Sequence, residues 1–453
     1  MKEEQLLAEF VTQLTYDQIP LDAISVVKRI LMAVTGTAVA GAGEEGVAPL
    51  RSMLENRGGK PEATVFIHGD KLPAPSAAFL NGVMCRALDF CDAMAPGIHI
   101  GSSLVPAALA AVEVMGGCEG QEFITALTVG AEIGARFNLT EDLYNGFDPT
   151  GVAGIFAATA SAARIMKLDN DQVLNAMALA FNRCGGSFQS NVDGSLAVRL
   201  IQGWVAESAI SCVMLAKAGL TGPANFLGGV YGYMHLYAHG KRDARTVTSK
   251  LGEEYFLNQT MFKKYPSCGL TQGLTDLALQ IVREVGVTAD AIATVEVRLP
   301  PYAYRLVGHD FNIGRNARVN AQFSAQYCVA NALLRRSSRL EHFKEEAIRN
   351  LDVLEVIQRI QVVSDDSMKV RDHTAVDLAV TTKCGITHAK SLDFAPGFPR
   401  NPLSDEEHLS RFKDCMDYAE RPLSSQQVAE LLALIRGIET TSDVRVLLSA
   451  LVA

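Results

Sequence analysis

No basic stripe runs through this chain. Lysine and arginine number 41 against 50 aspartates and glutamates, a formal charge of −9, which argues against a reader of nucleic-acid phosphates. Anionic small molecules stay open, because a few local cations decide that. The nine cysteines are odd in number and include no CxxC pair; reduced thiols and a cytoplasmic location are expected. The opening MKEEQLLAEFVTQL lacks the apolar core of a signal peptide. The greasiest segment, AISVVKRILMAVTGTAVAGAG, carries Lys28 and Arg29 inside it, so no membrane association is expected. Also missing are a GxSxG elbow, a phosphate loop with its Lys–Ser/Thr, internal repeats and low-complexity tracts. His235 and His239 in HLYAH are four apart, but no HExxH glutamate separates them. An aromatic-rich packed segment is the simpler reading, and no metal site is expected.

What is present is a 453-residue chain, 48% apolar and 20% charged, enough for two or three ordered domains and not for long disorder. AAFLNGVMCRALDF, SSLVPAALAAVEVMGG, GVAGIFAATASAARIM and DNDQVLNAMALAFN repeat apolar residues at helical spacing. Many of those positions are Ala or Gly, which let helix axes approach closely. A compact helical domain with buried central helices follows. After about residue 268 the character changes. ATVEVRLP and RIQVVSD read as strands, and TAVDLAVTTKCGITHAK reads as two strands around a glycine turn. Helical QFSAQYCVANALLRR and EEAIRNLDVLEVI lie between them. The end of the chain is helical again, with Ser404 and Glu407 spaced as a capping box. The fold class expected is mainly α. Residues 1–267 and 396–453 form the helical domain, and 268–395 form a smaller α+β domain.

Three stretches carry candidate chemistry. CRALDFCDAMAPGIHIGSS places Asp89, Asp92 and His99 in a Gly/Pro loop between buried helices, either a capped surface loop or an acid/base site. MFKKYPSCGLTQG puts Lys263 and Lys264 where the composition shifts, and clefts between domains collect sites. A surface lysine pair is the alternative. AQFSAQYCVANALL carries Tyr327, which core packing explains as readily as a functional hydroxyl.

These stretches, with GFDPTGVAGIFAATASAARI, KKYPSC and the late FAPGFPRNPLSDEEHLSRFKDC, resemble the MmgE/PrpD family in order and nearly end to end. That family includes 2-methylcitrate dehydratase, cis-aconitate decarboxylase and iminodisuccinate epimerase. The resemblance implies a helical domain built from both chain ends, an α+β lid, a homodimer and no required cofactor. It places the family's functional residues on Asp89, His99, Lys263 and Tyr327. His99 would move the proton and Lys263 would stabilise the developing anion. Asp89 would orient one of them, and Tyr327 would donate a hydrogen bond. Arg86, Asp148, Arg199 and Lys264 would complete a substrate-binding set.

Several positions depart from the family pattern. Cys91 and Ala93 replace an acid and a threonine, Asp148 replaces a histidine, and Val198 and Ile201 stand for a lysine and a histidine. The pocket should lose roughly three to four positive charges, depending on protonation, with Arg86 returning one. Unpaired carboxylates in a dry pocket are costly, so a citrate-like tricarboxylate fits poorly. The expected substrate is a small organic acid or derivative with one carboxylate or none, with an amine or imine as the group Asp148 would pair with. The expected activity is a cofactor-independent lyase or isomerase acting at an acidic C–H. The alternative is a diverged binding protein that keeps the fold without the catalysis.

Overall fold

The computed structural model describes residues 2–453. Two main hydrophobic clusters organise it. The larger runs from Leu7 to Phe262, takes in Leu340, and resumes from Leu403 to Leu451. The smaller runs from Tyr265 to Val380. The chain therefore leaves the first core once, builds the second, and returns.

The four helical stretches read from the sequence are helices Ala74–Arg86, Gly101–Met115, Ile155–Ile165 and Asn170–Phe181. The third begins one turn early, as a wide π-type turn over Thr150–Gly154. Their small residues do what the composition implied. A Cβ on Gly82 would lie 2.9 Å from the Gln202 carbonyl oxygen, and one on Gly203 would lie 2.1 Å from the Phe79 ring. Helices Ala74–Arg86 and Ala197–Lys217 therefore meet backbone to backbone, a contact that only glycine permits. Leu21–Gly41 and Ala197–Lys217 are long and apolar enough to cross a membrane, but 72% and 67% of their apolar windows are buried inside the molecule. The returning helix Asp405–Tyr418 presses Phe412 and Cys415 onto Gly36 of Leu21–Gly41. It starts at the expected capping box, where the Glu407 amide donates to Ser404 Oγ (3.1 Å) and the Ser404 amide donates to Glu407 Oε2 (2.9 Å).

The second core lies on one four-stranded sheet. Its order is Ile360–Ser364, Ile292–Leu299, Val376–Thr382, Thr387–Leu392. The first pair is parallel and the others antiparallel. Val376, Leu378 and Val380 are buried, while Asp377, Ala379 and Thr381 between them are less so. That alternation marks a sheet with one covered face. Helices Gln272–Val285 and Ala325–Arg335 pack on it. EEAIRNLDVLEVI is two short helices, Glu345–Ile348 and Leu351–Ile357, not one. Asn350 interrupts it, because its side chain accepts from the Asp352 and Val353 amides and starts a new helix.

Candidate active site

The loop from Arg86 to Gly101 is held from inside. Helix Ala74–Arg86 ends, and Asp89 follows with a left-handed φ of 51°, a conformation aspartate tolerates better than most residues. That turn aims its carboxylate inward, where it is 3% exposed. Asp92 serves the loop rather than the chemistry. Its Oδ2 accepts the Gly101 amide at 2.9 Å, capping helix Gly101–Met115, and its backbone carbonyl accepts His99 Nδ1–H at 2.7 Å. The carbonyl cannot donate, so the His99 proton sits on Nδ1 and the lone pair is left on Nε2. No protein group among the described residues hydrogen-bonds Nε2. The His99 amide donates to Thr150 Oγ1 at 2.9 Å, which ties the ring's position to the start of the next helix.

Lys263 reaches the loop through a two-residue ribbon. Asp92–Ala93 pairs antiparallel with Met261–Phe262, Asp92 opposite Phe262. Lys263, next along, is 1% exposed, with Nζ 2.6 Å from Asp89 Oδ1. The same oxygen accepts from Arg86 Nη1. One buried carboxylate thus pins two cations. Burial alone would raise the Asp89 carboxyl, but Arg86 and then Lys263 overcome it and hold it well below the usual carboxylate range. Burial lowers His99, and the same two cations lower it further, so the imidazole stays neutral well below its ordinary pKa. Burial raises Asp148, against the Gly151 and Thr150 amides that its Oδ1 accepts at 3.1 and 2.9 Å.

A cleft opens over these groups, between the two cores. Arg86, Asp89, His99, Asp148 and Lys263 line it, together with Ala93 and Val198. Of the five positions that depart from the family pattern, Ala93, Asp148 and Val198 therefore face the cavity, whereas Cys91 is fully buried and Ile201 is buried against Gly186. The lid core contributes Leu306 and His373. Tyr302 OH reaches the Pro96 carbonyl at 3.4 Å, joining lid to loop.

Three of the assigned residues lie outside this cleft. Tyr327 is wholly buried in the second core, its hydroxyl donating to the His342 carbonyl and taking Arg335 Nη1 at 3.4 Å. It packs between Phe311 and Phe343 and does not line the cleft. Arg199 donates to the Glu45 carbonyl at 2.9 Å and faces a separate polar groove with Glu44 and Arg318. Lys264 points away from Lys263, bridging Asp276 and Glu407 at 3.0 Å each. It clamps the lid helix to the returning helix. His235 and His239 are both exposed, His235 edge-on to Tyr231 at 6.1 Å; the packed member of that segment is Tyr233, whose hydroxyl donates to the Phe137 carbonyl at 3.0 Å.

Other lining residues carried little signal in sequence. His373 precedes a strand, with Nδ1 3.3 Å from Asp372. Asn191 and Gln202 are ordinary amides, one in the one-turn helix Gln189–Val192 and one in the long helix Ala197–Lys217. Gln202 directly follows Ile201, one of the departures from the family pattern, but nothing in spacing alone separates it from a packed glutamine.

Comparison with known proteins bears on this geometry. The MmgE/PrpD N-terminal domain profile matches residues 5–245, and the C-terminal domain profile matches residues 265–435. The chain is similar to the cis-aconitate decarboxylase of Homo sapiens, 24% identical over 84% of this chain and 80% of that protein. It is likewise 24% identical to the enzyme of that name from Mus musculus, over 93% of this chain and 87% of that protein. A cis-aconitate decarboxylase-like protein, oryM, from Aspergillus oryzae is 22% identical over 98% of this chain and 96% of its own length.

Proposed function

Because this chain belongs to the MmgE/PrpD family, we propose that it is a lyase or isomerase that moves a proton at an acidic C–H of a small organic acid or derivative. Membership and the decarboxylase relatives support lyase-type chemistry. The residues of the cleft support the proton transfer. The observation that carries it is His99. Its Nδ1–H is committed to the Asp92 carbonyl, and its Nε2 is unpartnered beside the Lys263–Asp89–Arg86 cluster. A neutral imidazole with a fixed tautomer is a general base, and a buried ammonium 2.6 Å from its counter-ion is a preorganised charge for a developing enolate oxygen. In this reading His99 Nε2 takes the carbon-bound proton. Lys263 stabilises the anion, Asp89 positions Lys263 and Arg86, and Arg86 meets a substrate carboxylate. The carbanion then reprotonates, or forms after carbon dioxide leaves, or expels a β-leaving group. Dehydration, decarboxylation and epimerisation share that intermediate.

Charge narrows the substrate. The cleft holds two cations, Arg86 and Lys263, and two carboxylates, Asp89 and Asp148, so it has no surplus to neutralise a polyanion. A substrate with one carboxylate or none fits best, unlike the tricarboxylate named for the relatives. Solvent deuterium exchange across a panel of small acids and imines tests the reading. His99→Gln should lower exchange about 10²–10⁴-fold without lowering the melting temperature, while Tyr327→Phe should exchange normally. Full exchange by His99→Gln would sink the assignment, and silence of the wild type across the panel would favour a binding protein.

A further inference from the structure

Three buried acceptors in the cleft have no donor among the described residues: Asp89 Oδ2, Asn191 Oδ1 and Gln202 Oε1. Their residues are 3%, 8% and 2% exposed. Nor do the side-chain NH₂ groups of Asn191 and Gln202 find an acceptor among the described residues. Buried polar groups in native proteins are almost always paired, and an exception in a cleft calls for a ligand. We infer that Asn191 and Gln202, with Asp89 Oδ2, form a subsite for a neutral primary carboxamide on a monocarboxylate substrate.

The chemistry selects that class from three competitors. A second carboxylate has acceptors only; it could take the Asn191 and Gln202 NH₂ groups, but it leaves Asp89 Oδ2 without a donor and sets charge against charge there. An ammonium group supplies donors but would sit beside Arg86 and Lys263, and Asp148, the other acid of the cleft, already spends Oδ1 on the Thr150 and Gly151 amides. An alkyl arm leaves every acceptor dry. A carboxamide supplies two donors and one acceptor. It is also self-complementary with another carboxamide, so the match survives whichever way the Asn191 and Gln202 side chains turn. A site built from hydrogen-bonding groups rejects analogues lacking them more strongly than an apolar pocket rejects a missing methylene.

The inference rests on the reading of this cleft as the substrate site, but its test needs no turnover. Three four-carbon probes of like shape are titrated by calorimetry: maleamate (carboxylate plus carboxamide), maleate (two carboxylates) and isocrotonate (carboxylate plus methyl). Maleamate should bind about tenfold or more tighter than either. Gln202→Leu and Asn191→Ala should bring maleamate down to the isocrotonate level and leave isocrotonate itself unchanged. Gln202→Met, close in length, carries the same test if the leucine variant fails to fold. Maleate binding as tightly as maleamate, a preference that survives both substitutions, or no maleamate binding at millimolar concentration would each overturn the subsite. Retained exchange in His99→Gln would overturn the proton-transfer reading instead, and leaves these affinities untouched.

Discussion

His408 shows how one residue couples the site to acid stability. It is 2% exposed on helix Asp405–Tyr418, its ring set edge-on to Phe262 at 4.9 Å, and its Nδ1 has no partner. Burial, then Arg411 and Arg29, lower its pKa to about 4. Between there and the ordinary value near 6.5 the unfolded chain binds the proton and the folded one does not. Stability is therefore full above pH 6.5 and falls as pH drops toward 4, on the order of 2 kcal/mol from this group. Urea unfolding at pH 7 and pH 4.5 should show that difference shrinking by this amount in His408→Gln. An equal pH dependence in the two proteins would refute it. Phe262 precedes Lys263, so this histidine packs one residue away from the buried lysine. At this scale Asp89, His99 and Lys263 were legible because their residue types and order match a family pattern. The resemblance alone put Tyr327 with them, and residue type and order carry no sign of whether a helical tyrosine faces a core or a cleft. Only its bond to the His342 carbonyl decides.

Among the elements, the two-residue ribbon of Asp92–Ala93 and Met261–Phe262 matters beyond its size. It joins the His99 loop to Lys263, and a third segment braces it, with the Phe262 amide donating to the Gly397 carbonyl at 3.0 Å. Gly397 has φ 89°, and a Cβ there would lie 1.9 Å from the Phe262 oxygen. Gly397→Ala combines a left-handed strain with a backbone clash. It should cost about 2 kcal/mol or more and lower turnover by loosening Lys263, although residue 397 does not touch the cleft. Denaturant midpoints and the exchange assay check both halves. A stable, fully active variant would show that the ribbon does not position the lysine. Ribbons of this length leave no periodic trace. The long elements did: four helices and the hairpin strands were visible in spacing, because a buried face repeats its apolar residues.

For the whole molecule, the resemblance implies a homodimer, and the surface offers a face for it. Helix Ala197–Lys217 leaves Trp204 44% and Leu215 41% exposed on one side, with Leu220 exposed just beyond its end. Large exposed apolar side chains in one stripe mark contact surfaces. We propose that a second copy covers this stripe. Light scattering should give twice the 48.7 kDa chain mass, and Trp204→Glu should return the monomer. A wild-type monomer at micromolar concentration would reject the dimer.

Fold class, family and the matching trio Asp89, His99 and Lys263 can be read from the amino-acid order alone. Those follow from local periodicity and from residue types in a recognisable order. Which of the eight assigned residues share a cleft was settled by packing in three dimensions. It turned Lys263 in and Lys264 out, placed the His99 proton on Nδ1, and brought Asn191 and Gln202 to the cleft that Asp89 lines. The reason is physical. Periodicity records which face of an element is buried, whereas hydrogen-bond pairing and pKa depend on partners brought together from distant parts of the chain.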